Sequence, residues 1–282
     1  MKLLLLALLF SCNASFLEAQ DTIATTQNTP FVLGKINEIY SNILSEKRIV
    51  NIYLPKDYNK KDSTSYPVIY LLDGSADEDF IHIAGLVQFL NFPWVNILPE
   101  SILVGIANID RKRDFTFPTS ISRDKIESPT SGGSEKFIDF IQKELQPFIE
   151  KNYKTNSSKT LIGESLGGLL ATEILFKKPA LFTRYIIVSP SLWWNNESLL
   201  STKPTLDNSN SVQSTSVYIA VGNEGKIMKK DAHHLVSILR SYLPKKSAIH
   251  FQYLPHEDHA TILHNAVYNA FIYFKSLVPD TH

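Results

Sequence analysis

Thr160-Leu161-Ile162-Gly163-Glu164-Ser165-Leu166-Gly167-Gly168 is the stretch on which the fold turns. A short apolar run stops at a glycine, and a serine follows between small neighbours. An apolar helical stretch then continues from Leu166 to Phe176. A tight strand-to-helix turn of this kind pushes a serine hydroxyl out at the end of a sheet, and the glycines admit its strained backbone. The start of the helix adds backbone N–H groups and positive dipole character where an oxyanion would develop. The pattern predicts Ser165 as a nucleophile, with the Leu166 amide as one oxyanion donor.

The elements on either side alternate. Arg48 to Leu54 switches between apolar and polar positions and stops at Pro55, as a half-buried strand would. Tyr66 to Leu72 and Ile102 to Ala107 are almost wholly apolar, which suits central parallel strands covered on both faces. Ser134, a good N-cap, precedes a helical stripe of Phe137, Ile141, Leu145, Phe148 and Ile149 within Glu135 to Tyr153. After the Ser165 turn come strands at Arg184 to Ser189, Val217 to Val221 and Ile249 to Leu254. Helices are expected around Ile227 to Leu243 and Ala260 to Leu277, and the polar stretch Asn208 to Ser216 reads as a loop. This alternation predicts an α/β-hydrolase fold in a single domain, with a mostly parallel central sheet and helices on both faces. The site belongs at the carboxyl ends of the strands.

A serine hydroxyl needs a base. Of eight histidines, His256, His259 and His264 follow the last strand, where the hydrolase chain order puts the base. His259 lies in the loop past Pro255, free to reach the nucleophile; His264 would already be helical, and His256 is the fallback. A carboxylate should orient the imidazole. Glu224, in Gly222-Asn223-Glu224-Gly225 after the Val217 to Val221 strand, is the best placed, with Asp231, Glu257 and Asp258 as alternatives. The loop Leu71-Leu72-Asp73-Gly74-Ser75 suggests the Ser75 amide as the second oxyanion donor. Asp77-Glu78-Asp79 lacks the ligand number for calcium, and His256-Glu257-Asp258-His259 lacks the spacing that puts two histidines on one helical face. No metal or cofactor is expected.

With 282 residues, 44% of them hydrophobic, the chain is long enough for a sizeable core. Lys+Arg and Asp+Glu are equal at 28 each, so no global field draws nucleic acid. Lys2 and the apolar run Leu3 to Phe10, too short to span a bilayer, read as a signal peptide over residues 1–20 with Ala19-Gln20 as a cleavage point. Leu9-Phe10-Ser11-Cys12 also matches a bacterial lipobox, which would make Cys12 the site of a lipid anchor. Residues 21–34 read as a linker and 35–282 as the globular domain. Cys12 is the only cysteine, so the domain has no disulfide. Export, to the periplasm or beyond, is the expectation.

Five segments resemble the esterase family that includes enterochelin esterases and related periplasmic siderophore esterases: Tyr66 to Gly74, Arg111-Lys112-Arg113-Asp114-Phe115-Thr116, Gly163 to Gly168, Ser189-Pro190-Ser191-Leu192-Trp193-Trp194 and Asp258-His259-Ala260-Thr261. They run in the family's order from about residue 35 to the C-terminus. The resemblance implies Ser165 as nucleophile and His259 as base, and some relatives work with a Ser–His dyad lacking a clear acid. It places Arg113 near the rim and Trp193 and Trp194 near the substrate. Arg113 could pair with a substrate anion or sit in an internal salt bridge, and the Trp pair could stack on a substrate ring or contribute to the core. The expected partner is a small-molecule or glycan ester. An exported acyltransferase, or a non-catalytic ligand-binding homologue, would share these features.

Overall fold

The computed structural model describes residues 28–61, 63–205 and 215–278. The expected signal peptide, with Cys12, and most of the 208–216 loop lie outside them. From Leu33 onward the described residues form one compact unit around an eight-stranded sheet. The strands are β1 (Lys35–Ser41), β2 (Glu46–Tyr53), β3 (Tyr66–Leu71), β4 (Ile102–Ile106), β5 (Thr155–Glu164), β6 (Arg184–Val188), β7 (Ser216–Gly222) and β8 (Ala248–Leu254). Their order is β1-β2-β4-β3-β5-β6-β7-β8. The β1–β2 and β2–β4 pairs are antiparallel, and all others are parallel.

The two-residue period of a strand divides the core in two. Val68 and Tyr70 of β3, Leu161 of β5, Ile187 of β6 and Ile219 of β7 face one layer, while Ile69, Leu71, Ile162, Ile186 and Ala220 face the other. The first layer is covered by α2 (Arg111–Phe115), α4 (Ser134–Phe140), α5 (Gln146–Asn152), α6 (Leu166–Lys177) and α8 (Lys226–Tyr242). The second is covered by α1 (Phe80–Asn91) and α9 (Ile262–Ser276), and α3 (Ser122–Glu127) and α7 (Trp194–Glu197) are short turns in the loops. The central helix α6 is buried from Gly167 to Phe176, which is why that stretch is apolar or glycine at every position but Thr172 and Glu173.

One strand is not anticipated by the sequence pattern, and two local expectations change. β1 has mostly exposed positions and sits at the sheet edge, so it carries none of the apolar patterning that marks the central strands. Ser134 opens α4 but does not cap it: Gly133 holds the cap position, and the Ser134 hydroxyl is buried without a partner. The single helix expected over Glu135 to Tyr153 widens into a π-helical turn at Ile141–Leu145 before α5. Pro147, in the first turn of α5, has no N–H for the preceding turn, and a widened turn accommodates that loss.

Candidate active site

β5 ends at Glu164 and α6 begins at Leu166, so Ser165 alone makes the turn. Its backbone sits at φ 56°, ψ −118°, a conformation L-residues rarely adopt and one that costs on the order of 1–3 kcal/mol. Three backbone hydrogen bonds hold it there. Ser165 N–H donates to Val188 O, and Ser165 O accepts from Leu169 N–H and Ser191 N–H, each at 3.0 Å. Strand and helix cross so closely that a Cβ on Gly163 would lie 2.4 Å from Gly167 O, and one on Gly168 would lie 2.9 Å from Pro190 Cα. The Ser165 hydroxyl lies 3.3 Å from Ser191 Oγ. Leu166, first residue of α6, has an N–H with no acceptor inside the helix.

His259 lies in the loop between β8 and α9, and its Nδ1 meets Glu224 Oε2 at 2.5 Å. The other carboxylate oxygen, Oε1, accepts the Ser189 hydroxyl and, at 2.9 Å, the Gly222 N–H. Burial pushes the Glu224 carboxyl up, but hydrogen bonds from His259, Ser189 and Gly222 outweigh it and hold the group below its ordinary value. The hydrogen bond to Glu224 raises His259 above the usual histidine value, against a smaller opposing effect of burial. The two loops are packed together: Asn223 N–H donates to Glu257 O at 2.7 Å, and a Cβ on Gly222 would lie 2.6 Å from that oxygen.

The alternative partners fall away. Asp258 accepts the N–H groups of Ala260 and Thr261, Glu257 takes Asn265, and Asp231 is buried on α8 beside Lys230. His264, on α9, packs edge-on against His82.

Ser165, Ser191, Trp193, Glu224, Met228 and His259 line one cleft of about 390 Å³. The tryptophans separate there. Trp193 is 42% exposed on the cleft wall, whereas Trp194 is 2% exposed and donates its Nε1–H to Phe117 O, so it is a core residue and not a substrate contact. Arg113 is likewise corrected: its guanidinium binds Glu46 through two nitrogens and Asp114 through Nε, at 2.6–3.0 Å, and Asp114 in turn holds the fully buried Arg48. It belongs to an internal ion network. Ser75 is corrected too, since its N–H is already engaged, donating to Glu78 Oε2 at 3.3 Å.

Arg111 stands where Arg113 was expected. Asp73, at φ 55° just past the end of β3, holds the Arg111 Nε at 2.6 Å and Nη2 at 3.0 Å, and Nη2 reaches Glu164 O at 3.3 Å. A fixed guanidinium therefore lies beside the nucleophile turn. Residues two apart on a helix point to different sides, and the strand-end carboxylate Asp73 was the signal for which arginine faces the site. Among the described residues, no group of three or more His, Cys, Asp or Glu is placed to hold a metal ion.

Residues 41–275, which contain Ser165, Glu224 and His259, match the model of the family described as "Putative esterase". The chain belongs to this esterase family. Ferri-bacillibactin esterase BesA of Bacillus subtilis is 35% identical over 169 residues, covering 55% of this chain and 58% of BesA. The siderophore triacetylfusarinine C esterase of Aspergillus fumigatus is 28% identical over 193 residues, 61% of each chain. The alignments thus span less than two thirds of these two relatives. Among solved structures, an IroE-like serine hydrolase from Shewanella oneidensis superposes with a TM-score of 0.74 at 29% identity, covering 88% of this chain and 82% of that one. The BES protein from Bacillus cereus gives 0.76 at 29% identity, covering 89% and 98%. The esterase-family sheet thus carries its nucleophile, acid and base candidates at the carboxyl ends of β5, β7 and β8, with Ser165 on the turn into α6.

Proposed function

We propose that this esterase-family chain is an exported serine esterase that cleaves carboxylic esters of the siderophore type through an acyl-enzyme on Ser165. The observation that supports it most is the 2.5 Å His259–Glu224 contact, opening on the same cleft as a serine held at positive φ. In this reading Ser165 Oγ attacks the ester carbonyl carbon while His259 Nε2 takes the hydroxyl proton. The negative charge that forms on the carbonyl oxygen faces the Leu166 N–H at the start of α6, with the fixed Arg111 charge nearby. Collapse breaks the ester C–O bond, and the leaving alcohol takes the proton from His259. Water then attacks the acyl-enzyme by the same route and releases the carboxylic acid. Glu224 keeps the His259 Nδ1 protonated and oriented throughout.

The substrate class rests on the names of the two curated relatives, together with the exposed Trp193 ring, a flat surface on which an aromatic acyl group can stack. Export rests on the Leu3 to Phe10 run. The purified protein should hydrolyse a short p-nitrophenyl ester, and Ser165→Ala should remove roughly a thousandfold or more of that rate. Wild-type turnover in the variant would overturn the nucleophile. In a panel of siderophore, feruloyl, acetyl-sugar and simple acyl esters, the siderophore ester should give the highest kcat/KM.

A further inference from the structure

Arg184 is a half-buried cation with no counter-ion among the described residues. It opens β6 opposite Thr160 of β5, while four residues later Val188 pairs with Glu164 beside the nucleophile, so Arg184 lies at the other end of the sheet from Ser165. Arg48, Arg111 and Arg113 each hold a carboxylate. The Arg184 guanidinium instead has the Phe274 ring at 5.5 Å, and among the described residues it makes no hydrogen bond or ion pair. Withdrawing a cation from water without pairing it is costly, and proteins rarely leave such a group empty-handed.

What surrounds it is a cavity of about 230 Å³. The residues that matter there are Arg184, Lys275, Leu98, Phe271, Phe274 and Val278. Among the described residues, Lys275, one turn from Phe271 on α9, is a second cation without an ion pair, and no Asp or Glu lines the cavity. Two cations set among aromatic and aliphatic side chains suit a ligand with a single anionic head and a compact apolar body. A planar carboxylate matches the guanidinium fork through two parallel N–H···O bonds, and Leu98, Phe271 and Phe274, all buried, make the apolar wall behind it.

We propose that the Arg184 cavity binds a small carboxylate bearing an aromatic or branched apolar group, with Arg184 holding the carboxylate and Lys275 adding charge at the rim. The site is independent of the ester chemistry at Ser165. The probe is sodium benzoate, titrated calorimetrically into the full chain, into the chain with Ser165 blocked by a fluorophosphonate, and into Arg184→Met and Lys275→Met. Binding should be the same in the free and blocked enzyme, at least about tenfold weaker in Arg184→Met, and a few-fold weaker in Lys275→Met, the sizes expected for losing a paired and a rim charge. Arg184→Met should also melt higher than wild type in benzoate-free buffer, because it replaces an unpaired, desolvated cation with an apolar side chain, so the variant's fold is not in jeopardy. Benzoate binding that disappears in the blocked enzyme, or that survives Arg184→Met unchanged, would overturn the assignment. So would an absence of binding in the wild type. Inorganic phosphate serves as the second arm: tighter binding of phosphate than of benzoate would refute the carboxylate class.

Discussion

Glu224 accepts three hydrogen bonds, and only one of them comes from His259. The other two, from the Ser189 hydroxyl and the Gly222 N–H, fix the carboxylate so that Oε2 faces the imidazole. His259 must be neutral to take the Ser165 proton, and its pKa is raised by Glu224, so kcat/KM should climb with pH through an apparent pKa above the ordinary histidine value of 6.5. Glu224→Gln should move that limb to lower pH and cut kcat by about a hundredfold or more, as measured by pH–rate profiles. An unshifted limb would detach Glu224 from the base. Ser189, fully buried at φ 40°, is a positioning residue: Ser189→Ala should lower kcat about tenfold with KM little changed, and should raise the Glu224 pKa. Glu224 could be singled out in the sequence only by its loop, because two of its partners, Ser189 and His259, come from other strand ends and no spacing rule joins them. Ser165 was legible because its whole environment, strand, turn and helix, is contiguous.

At the scale of elements, the β5–α6 crossing and helix α2 decide most. Gly163 and Gly168 have no room for a methyl group, whereas a Cβ on Gly167 would meet Asp73 Oδ2 at 3.3 Å and Leu72 Cβ at 3.4 Å. Gly163→Ala and Gly168→Ala should each destabilise by at least about 2 kcal/mol, and Gly167→Ala by about 1 kcal/mol or less, in chemical denaturation. Equal losses at all three would mean that the crossing is looser than these contacts imply. Helix α2 carries two arginines with different duties. Arg113→Gln should lower the melting temperature by a few degrees with kcat/KM within about threefold of wild type. Arg111→Gln should do the reverse, lowering kcat/KM by about tenfold or more by removing a fixed charge beside the nucleophile. The central strands and the long amphipathic helices were legible because burial imposes their periodicity. Edge strand β1, the π-helical turn and the division of labour within α2 answer to tertiary neighbours instead: β2, the Pro147 gap and Asp73.

Across the whole molecule, the ion network around β2 and α2 and the site beside it put opposite demands on charge. Around β2 and α2, Glu46, Arg48, Arg113 and Asp114 neutralise one another. At the carboxyl ends of the strands, carboxylates crowd without enough cations: Asp73 and Arg111 pair, but Glu164 Oε1 is buried with no hydrogen-bond partner. Burial, reinforced by neighbouring carboxylates and opposed by His259, pushes Glu164 up to about 7; burial, Asp73 and Glu78 push Asp79 up to about 6 against Arg111. Both groups bind protons more tightly in the folded chain than in the unfolded one. Their contribution to stability is therefore fully present below pH 4 and is lost as pH rises through about 6 and 7. The carboxylates held below their ordinary values, Glu46, Asp139 and Glu224, act in the other direction at lower pH, where protonation removes their pairing. Stability should then peak near pH 5 and decline toward pH 8, by on the order of 2 kcal/mol from Glu164 alone. Urea denaturation at pH 5 and pH 8 measures the decline, and Glu164→Gln should flatten it by keeping a neutral amide where wild type must bury a charge. A protein equally stable at both pH values, or a Glu164→Gln variant with an undiminished decline, would show that Glu164 ionises without cost. The nucleophile turn would then not be the place where this fold gives up stability for chemistry.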